Sequence, residues 1–148
     1  MKGGTMEYQN QIQGSCHCGN IQYRFLTNIS EEKLSRRECQ CSFCKMHGGV
    51  YTSDPEGELR YQIQDQKKVN HYNFGHQTAD FYICQNCGGL MFALCEIEEK
   101  KYAVLNLRTT VSPKISIEEF AQSDFESEEP EGRLKRRQKN WIGKVIEE

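Results

Sequence analysis

No stretch of this 148-residue sequence is apolar enough to cross a bilayer. The longest apolar run, Leu90 to Cys95, has six residues, against about 20 for a membrane-spanning helix. The first ten residues hold no apolar signal core, so export is not expected. Excess charge of one sign is also missing. Nineteen Lys and Arg against 21 Asp and Glu leave a net −2, without the basic surplus of a general nucleic-acid binder. Apolar residues make up only 36% and the mean hydropathy is −0.78. That is a thin core for a chain able to bury roughly 68–70% of its unfolded surface. No Ser–His–Asp order, phosphate-cradling glycine loop or paired-carboxylate motif stands out, and no general base can be nominated. No long amphipathic helix is visible before Ser112, and there is no internal repeat.

What the chain does have is strand periodicity and cysteine. Ile21, Tyr23 and Phe25 alternate with Gln22 and Arg24, the pattern of a strand with one buried face. Residues 8–26 read as two strands joined by the turn Ser15-Cys-His-Cys-Gly-Asn20. Residues 30–38 read as a loop or short helix. Further strand-like runs follow at 50–53, 59–63, 69–74, 78–84, 90–97 and 102–109, separated by turn clusters such as Ser53-Asp-Pro-Glu-Gly57. The expectation is a mainly β, antiparallel domain over residues 8–122. Residues 123–148 are expected to form a charged C-terminal tail, acidic then basic, docking through Trp141.

Seven of the eight cysteines fall into three tight clusters: Cys16 and Cys18; Cys39, Cys41 and Cys44; Cys84 and Cys87. With no export route, thiols are expected to stay reduced in the cytoplasm and to serve as metal ligands rather than disulfides. Short spacing suits this role, because the sulfurs must converge at about 2.3 Å from one ion. Gly19, Gly88 and Gly89 suit the tight turns required. Zinc is the expected metal, with an iron–sulfur cluster as the chemical rival. The simplest division puts Cys16, Cys18, Cys84 and Cys87 around one ion, closing a roughly 65-residue loop at a cost of about 4 kcal/mol. Structural zinc contributes about 10–16 kcal/mol in small metal domains and outweighs this. Cys39, Cys41 and Cys44 then bind a second ion with one position left for an exogenous ligand, the pattern of catalytic zinc. A histidine (His47, His71 or His76) or Cys95 could close that site instead. His17 lies between two ligands and is expected to point away. Cys95, with Phe92, Leu94 and Ile97 around it, reads first as core.

At these residues the sequence resembles the glutathione-dependent formaldehyde-activating enzyme family, which includes centromere protein V. Gly14-Ser-Cys-His-Cys-Gly19, Cys39-Gln-Cys-Ser-Phe-Cys44 and Phe81-Tyr-Ile-Cys-Gln-Asn-Cys-Gly88 match its three ordered motifs, and Asn106-Leu-Arg108 is similar to a following segment. The likeness spans about residues 10–110. It implies a zinc-stapled β-tent fold, a structural zinc on the first and third clusters, and a labile or catalytic zinc on the middle triplet. It implies carbon–sulfur bond chemistry on a glutathione or related thiol adduct of the S-hydroxymethylglutathione type. The carboxylates of such a substrate need cations, and Lys45, Arg60 and Arg108 are candidates. Two segments depart from the family pattern: Lys45-Met-His-Gly-Gly-Val-Tyr51 is bulkier, and no H-I motif follows Ser112.

The sequence therefore supports a zinc-dependent carbon–sulfur lyase-like enzyme with a small thiol partner and neither membrane nor nucleic-acid partner. The alternative is a non-catalytic zinc-stapled binding module, suggested by the charged tail. A third arrangement makes both ions structural.

Overall fold

The computed structural model describes residues 8–39, 41–73, 79–117, 121–123 and 129–148, which fold into two β-sheets. The alternation in residues 21–27 produces the first hairpin. β1 (Asn10–Ser15) and β2 (Ile21–Thr27) pair antiparallel, with Ile12 opposite Phe25 and Gly14 opposite Tyr23. Every second residue of β2 is buried, as the two-residue side-chain period requires. β2 also pairs antiparallel with β5 (Glu58–Ile63). β10 (Thr110–Ser112) borders β1, and β12 (Lys144–Glu147) borders β5, giving a five-stranded sheet.

The second sheet has seven strands. β3 (Arg37–Cys39), β4 (Val50–Thr52), β6 (Val69–Tyr72), β7 (Asp80–Cys84), β8 (Leu90–Ile97), β9 (Lys100–Asn106) and β11 (Ala121–Ser123) lie in the order β11-β3-β4-β9-β8-β7-β6. Pairing is antiparallel apart from β11 with β3 and β12 with β5, which are parallel. Strand β8 reads as a continuous apolar run because both of its faces are covered. Met91, Phe92 and Leu94 pack with Tyr61, Tyr82 and Leu105 in one cluster, while Ala93, Cys95 and Ile97 pack with Tyr102, Val104 and Trp141 in another. The protein is thus mainly β with antiparallel sheets, as expected. Among the described residues no helix is long and apolar enough to cross a membrane.

Among the described residues two α-helices accompany the sheets: α1 (Ser42–His47) and α2 (Pro130–Asn140). The segment 30–38 contains a 3-10 turn (Glu31–Lys33) and then β3. The strand expected at 69–74 ends at Tyr72, and the one expected at 78–84 begins at Asp80; residues 74 and 78 lie outside the described residues. Part of the acidic run expected in the tail, residues 124–128, also lies outside them.

The C-terminal residues are built into both sheets. Trp141 is buried on the α2 side of the seven-stranded sheet. Ile142, fully buried, bridges Ala103 of β9 through two backbone hydrogen bonds (Ala103 N–H to Ile142 C=O, 3.1 Å; Ile142 N–H to Ala103 C=O, 2.8 Å). Strand β12 then aligns Val145 with Leu59 and Ile146 with Arg60. Arg24 and Arg60 both reach the Glu148 carboxylate (2.6 and 3.4 Å), and Arg60 also pairs with Glu58.

Candidate metal centres

Two turns of matching construction form the first centre. Cys16 and Cys18 sit in the turn between β1 and β2; Cys84 ends β7 and Cys87 follows in the turn to β8. Each turn closes on its first cysteine: Cys16 N–H donates to Ile21 C=O and Cys84 N–H donates to Gly89 C=O, both at 2.9 Å. Each needs one left-handed residue, Gly19 (φ +87°) and Gly88 (φ +83°), where a Cβ would add strain. The four Sγ atoms lie within 4.8 Å of one another; Cys16 to Cys18 is 3.8 Å and Cys18 to Cys84 is 3.5 Å. Tetrahedral sulfurs at about 2.3 Å from zinc stand about 3.8 Å apart. The donor set and its spacing therefore fit zinc. Cys16 and Cys84 are buried and Cys18 is exposed. One turn belongs to each sheet, so the centre pins the two sheets together.

Hydrogen bonding and burial divide the protons among these thiols. Burial pushes Cys16 up to about 11, whereas a hydrogen bond from Asn86 draws Cys18 down to about 6. The backbone N–H of Ile21 also points at Cys16 Sγ (3.3 Å).

The second cluster is built on a strand end and a helix start. Cys39 closes β3, Cys41 is the N-cap of α1 and Cys44 lies in its first turn. Their Sγ atoms also lie within 4.8 Å of one another. The Cys44 N–H donates to Cys41 Sγ (3.4 Å), so a thiol fills the role usually taken by a Ser or Asp cap. Hydrogen bonds from Cys39 and Cys44 draw Cys41 down to about 2, while Cys44 is pushed up, chiefly by its hydrogen bond with Cys39. The structure brings together the seven cysteines predicted as ligands in two groups, four and three.

Two residues take roles around the triplet that the sequence did not show. The buried Tyr51 hydroxyl lies 3.3 Å from Cys44 Sγ. Arg108 Nε donates to the carbonyl of Gly48, the left-handed C-cap of α1 (2.6 Å). Arg108, a candidate for substrate carboxylates, thereby clasps the helix that carries Cys44. Asn106 sets it up, accepting from Val50 N–H (3.3 Å) and Arg108 N–H (3.2 Å) and donating to Leu90 C=O (2.8 Å). That network accounts for Asn106-Leu-Arg108, whereas nothing local to Tyr51 signals its contact.

The other candidates lie elsewhere. His47 Nδ1 is 3.0 Å from Phe43 C=O, and its ring stacks on Phe43. His71 stacks on Tyr82 (4.2 Å), and His17 is exposed in its turn. Neither these histidines nor Cys95 belongs to a described ligand group; His76 lies outside the described residues. Cys95 is buried and accepts from Arg137 Nη1 (3.5 Å), with Arg137 stacked on Trp141. Arg60 is occupied by Glu58 and Glu148, and Lys45 lies on the exposed face of α1.

Two sheets pinned by one thiol cluster, with a second cluster on a strand–helix junction, define a mainly β protein with two cysteine centres that could bind metal ions. Residues 11–123 match the family model described as glutathione-dependent formaldehyde-activating enzyme, and the chain belongs to that family. A crystal structure of a Rhodobacter sphaeroides protein shares the fold, with a TM-score of 0.55 and 23% sequence identity, over 75% of this chain and 99% of that one. No curated protein matches the sequence.

Proposed function

We propose that this protein is a zinc-dependent enzyme of the carbon–sulfur lyase type acting on a glutathione or related thiol adduct. The observation that carries the reading is the triplet of Cys39, Cys41 and Cys44: three convergent thiols beside a buried phenol, in a chain of this family. Three protein ligands on a tetrahedral ion leave one place for an exogenous sulfur. Zinc there would supply Lewis acidity and favour the thiolate form of a bound thiol. The chain's own residues do the positioning. Tyr51 contacts Cys44 Sγ, Arg108 fixes the C-terminus of α1, and Phe43, His47, Tyr72 and Phe81 stack as an aromatic group on its flank (centroids 4.3–5.0 Å). Cys16, Cys18, Cys84 and Cys87 would hold a structural zinc. Both centres need reduced thiols, which suits a cytoplasmic setting.

The reaction is addition of the glutathione sulfur to the formaldehyde carbon, or its reverse. One S–C bond forms, and the thiol proton ends on the former carbonyl oxygen. The test combines zinc analysis, calorimetric titration of glutathione, and exchange spectroscopy of carbon-13 formaldehyde with glutathione. Two zincs per chain, glutathione binding lost in Cys41→Ser and accelerated adduct exchange are expected. Equal glutathione binding by the wild type and Cys41→Ser would sink the role of the triplet. The binding-module reading predicts no acceleration of exchange.

A further inference from the structure

We propose that a cationic cleft between β3 and α2 holds a carboxylate of the thiol substrate, an inference that rests on the thiol-adduct reading above. The cleft has a volume of about 280 Å³, and Lys33, Arg37 and Arg136 line it together with Ser35, Ser53 and Trp141.

Arg37 is its organised element. Nη1 donates to Ser35 Oγ (2.7 Å) and Nη2 to Ser53 Oγ (2.9 Å). Ser53 Oγ in turn donates to the backbone carbonyl of Asn140 at the end of α2 (2.7 Å). A relay of two hydrogen bonds thus locks the guanidinium across three parts of the chain. Among the described residues both hydrogen-bond partners of Arg37 are neutral hydroxyls, and a guanidinium has five N–H donors, so donors remain for an anion. A carboxylate suits those remaining donors, in the geometry arginine recognises best.

The position suits the triplet. Arg37 precedes Cys39 by two residues on β3 and so faces the same side, at a spacing of about 7 Å along the strand. Trp141 packs in the same apolar cluster as Cys39, Cys41, Cys44 and Tyr51. A cysteinyl peptide separates its thiol from its terminal carboxylate by a distance of the same order, about two residue lengths. Arg136, Asn140 and Trp141 lie beyond the family match, which ends at residue 123. One wall of the cleft is therefore built outside the matched residues, while Lys33, Ser35, Arg37 and Ser53 lie within them.

The test uses the zinc-loaded full chain and calorimetric titration with three probes: glutathione, glutathione diethyl ester and S-methylglutathione, whose sulfur is blocked. Arg37→Gln is expected to weaken glutathione and S-methylglutathione binding at least tenfold and to change ester binding less than twofold. Lys33→Gln, on an exposed side chain that carries no fold, is expected to give a smaller loss of about threefold for the two acids. Zinc content and far-UV circular dichroism establish that each variant is folded. If both variants bind S-methylglutathione as the wild type does, or if the ester loses as much as the acids, the cleft assignment is overturned. Glutathione binding that still depends on Cys41 would then leave the thiol reading standing. Binding that depends on Arg37 but not on Cys41 would overturn the thiol reading and keep the cleft. No binding of any probe to the wild type overturns both.

Discussion

Cys84→Ser should be far more damaging to the fold than Cys39→Ser, although each removes one thiol from one cluster. Cys84 is fully buried and belongs to the cluster that joins the β1–β2 turn of one sheet to the β7–β8 turn of the other. The ion there holds closed a loop of roughly 65 residues, whose closure costs about 4 kcal/mol. The triplet closes a segment of about five residues, for which the same rule gives about 1.4 kcal/mol. Structural zinc sites contribute about 10–16 kcal/mol, comparable to the whole stability of a domain, about 5–15 kcal/mol. Losing even about 4 kcal/mol of that zinc contribution corresponds to a fall in Tm of about 8–16 °C for a chain of this size. Thermal melts by circular dichroism, paired with zinc analysis, make the comparison. Cys84→Ser is expected to lose one zinc and at least about 8 °C, or to lack a cooperative melt altogether. Cys39→Ser is expected to lose one zinc and only a few degrees. A Cys84→Ser protein that loses its zinc but melts within about 4 °C of the wild type would refute the pinning role. So would Cys39→Ser proving the more damaging of the two.

Three further outcomes follow from particular contacts. Tyr51→Phe removes the hydroxyl beside Cys44 Sγ and should cost about 0.5–1.5 kcal/mol in urea unfolding, with both zincs retained; loss of the triplet zinc would give Tyr51 a larger role than positioning. Gly14→Ala would drive a Cβ into the Tyr23 phenol ring that lies over it, and should destabilise by about 1–3 kcal/mol; in a Tyr23→Leu background the cost should shrink. Burial raises the Tyr23 phenol above its ordinary 10.0, so the folded chain keeps a proton that the unfolded chain releases at alkaline pH. The Tyr23 contribution to stability is therefore complete below pH 10 and lost as the pH climbs above it, by at most about 1.4 kcal/mol per pH unit. Tyr23→Phe, which also loses the 2.7 Å bond to Thr109, should lower stability evenly below pH 10 and flatten the alkaline slope; an unchanged slope would count against the assignment.

The strands of the central hairpins were legible because their burial pattern is written in consecutive residues. In β2 the alternation is complete, and in β8 the unbroken apolar run reflects two covered faces. The cysteine groups were legible for a related reason: ligand spacing within a turn is a local property, and only the joining of distant turns had to be inferred. Helix α1 escaped because six residues around one ligand show no apolar stripe. Strands β3, β10 and β11 are three residues each, too short for a period to declare itself.

The C-terminal residues show why composition misleads where partners are distant. Lys144-Val-Ile-Glu147 is half charged, yet it forms a strand because β5, more than 80 positions earlier, offers a free edge. Its flanking charges are answered from the same edge: Lys144 reaches Glu58 (3.4 Å) and Gln66 reaches Glu147 (2.7 Å). The basic run before it, expected from sequence as part of a charged tail, spends its residues unequally. Lys135 is exposed beside Glu131, whereas Arg137 is buried between Cys95 and Trp141, and Arg136 lines the cleft against β3. Near-neutral net charge conceals this sorting, because a total cannot distinguish a cation facing water from one held against a buried sulfur. What separates them is the 3.6-residue turn of α2, which places consecutive arginines on different faces once Ile142 and β12 have anchored the helix to both sheets. The C-terminal strand pairing therefore places Arg136, Asn140 and Trp141 on one wall of the cleft, opposite Lys33 and Arg37.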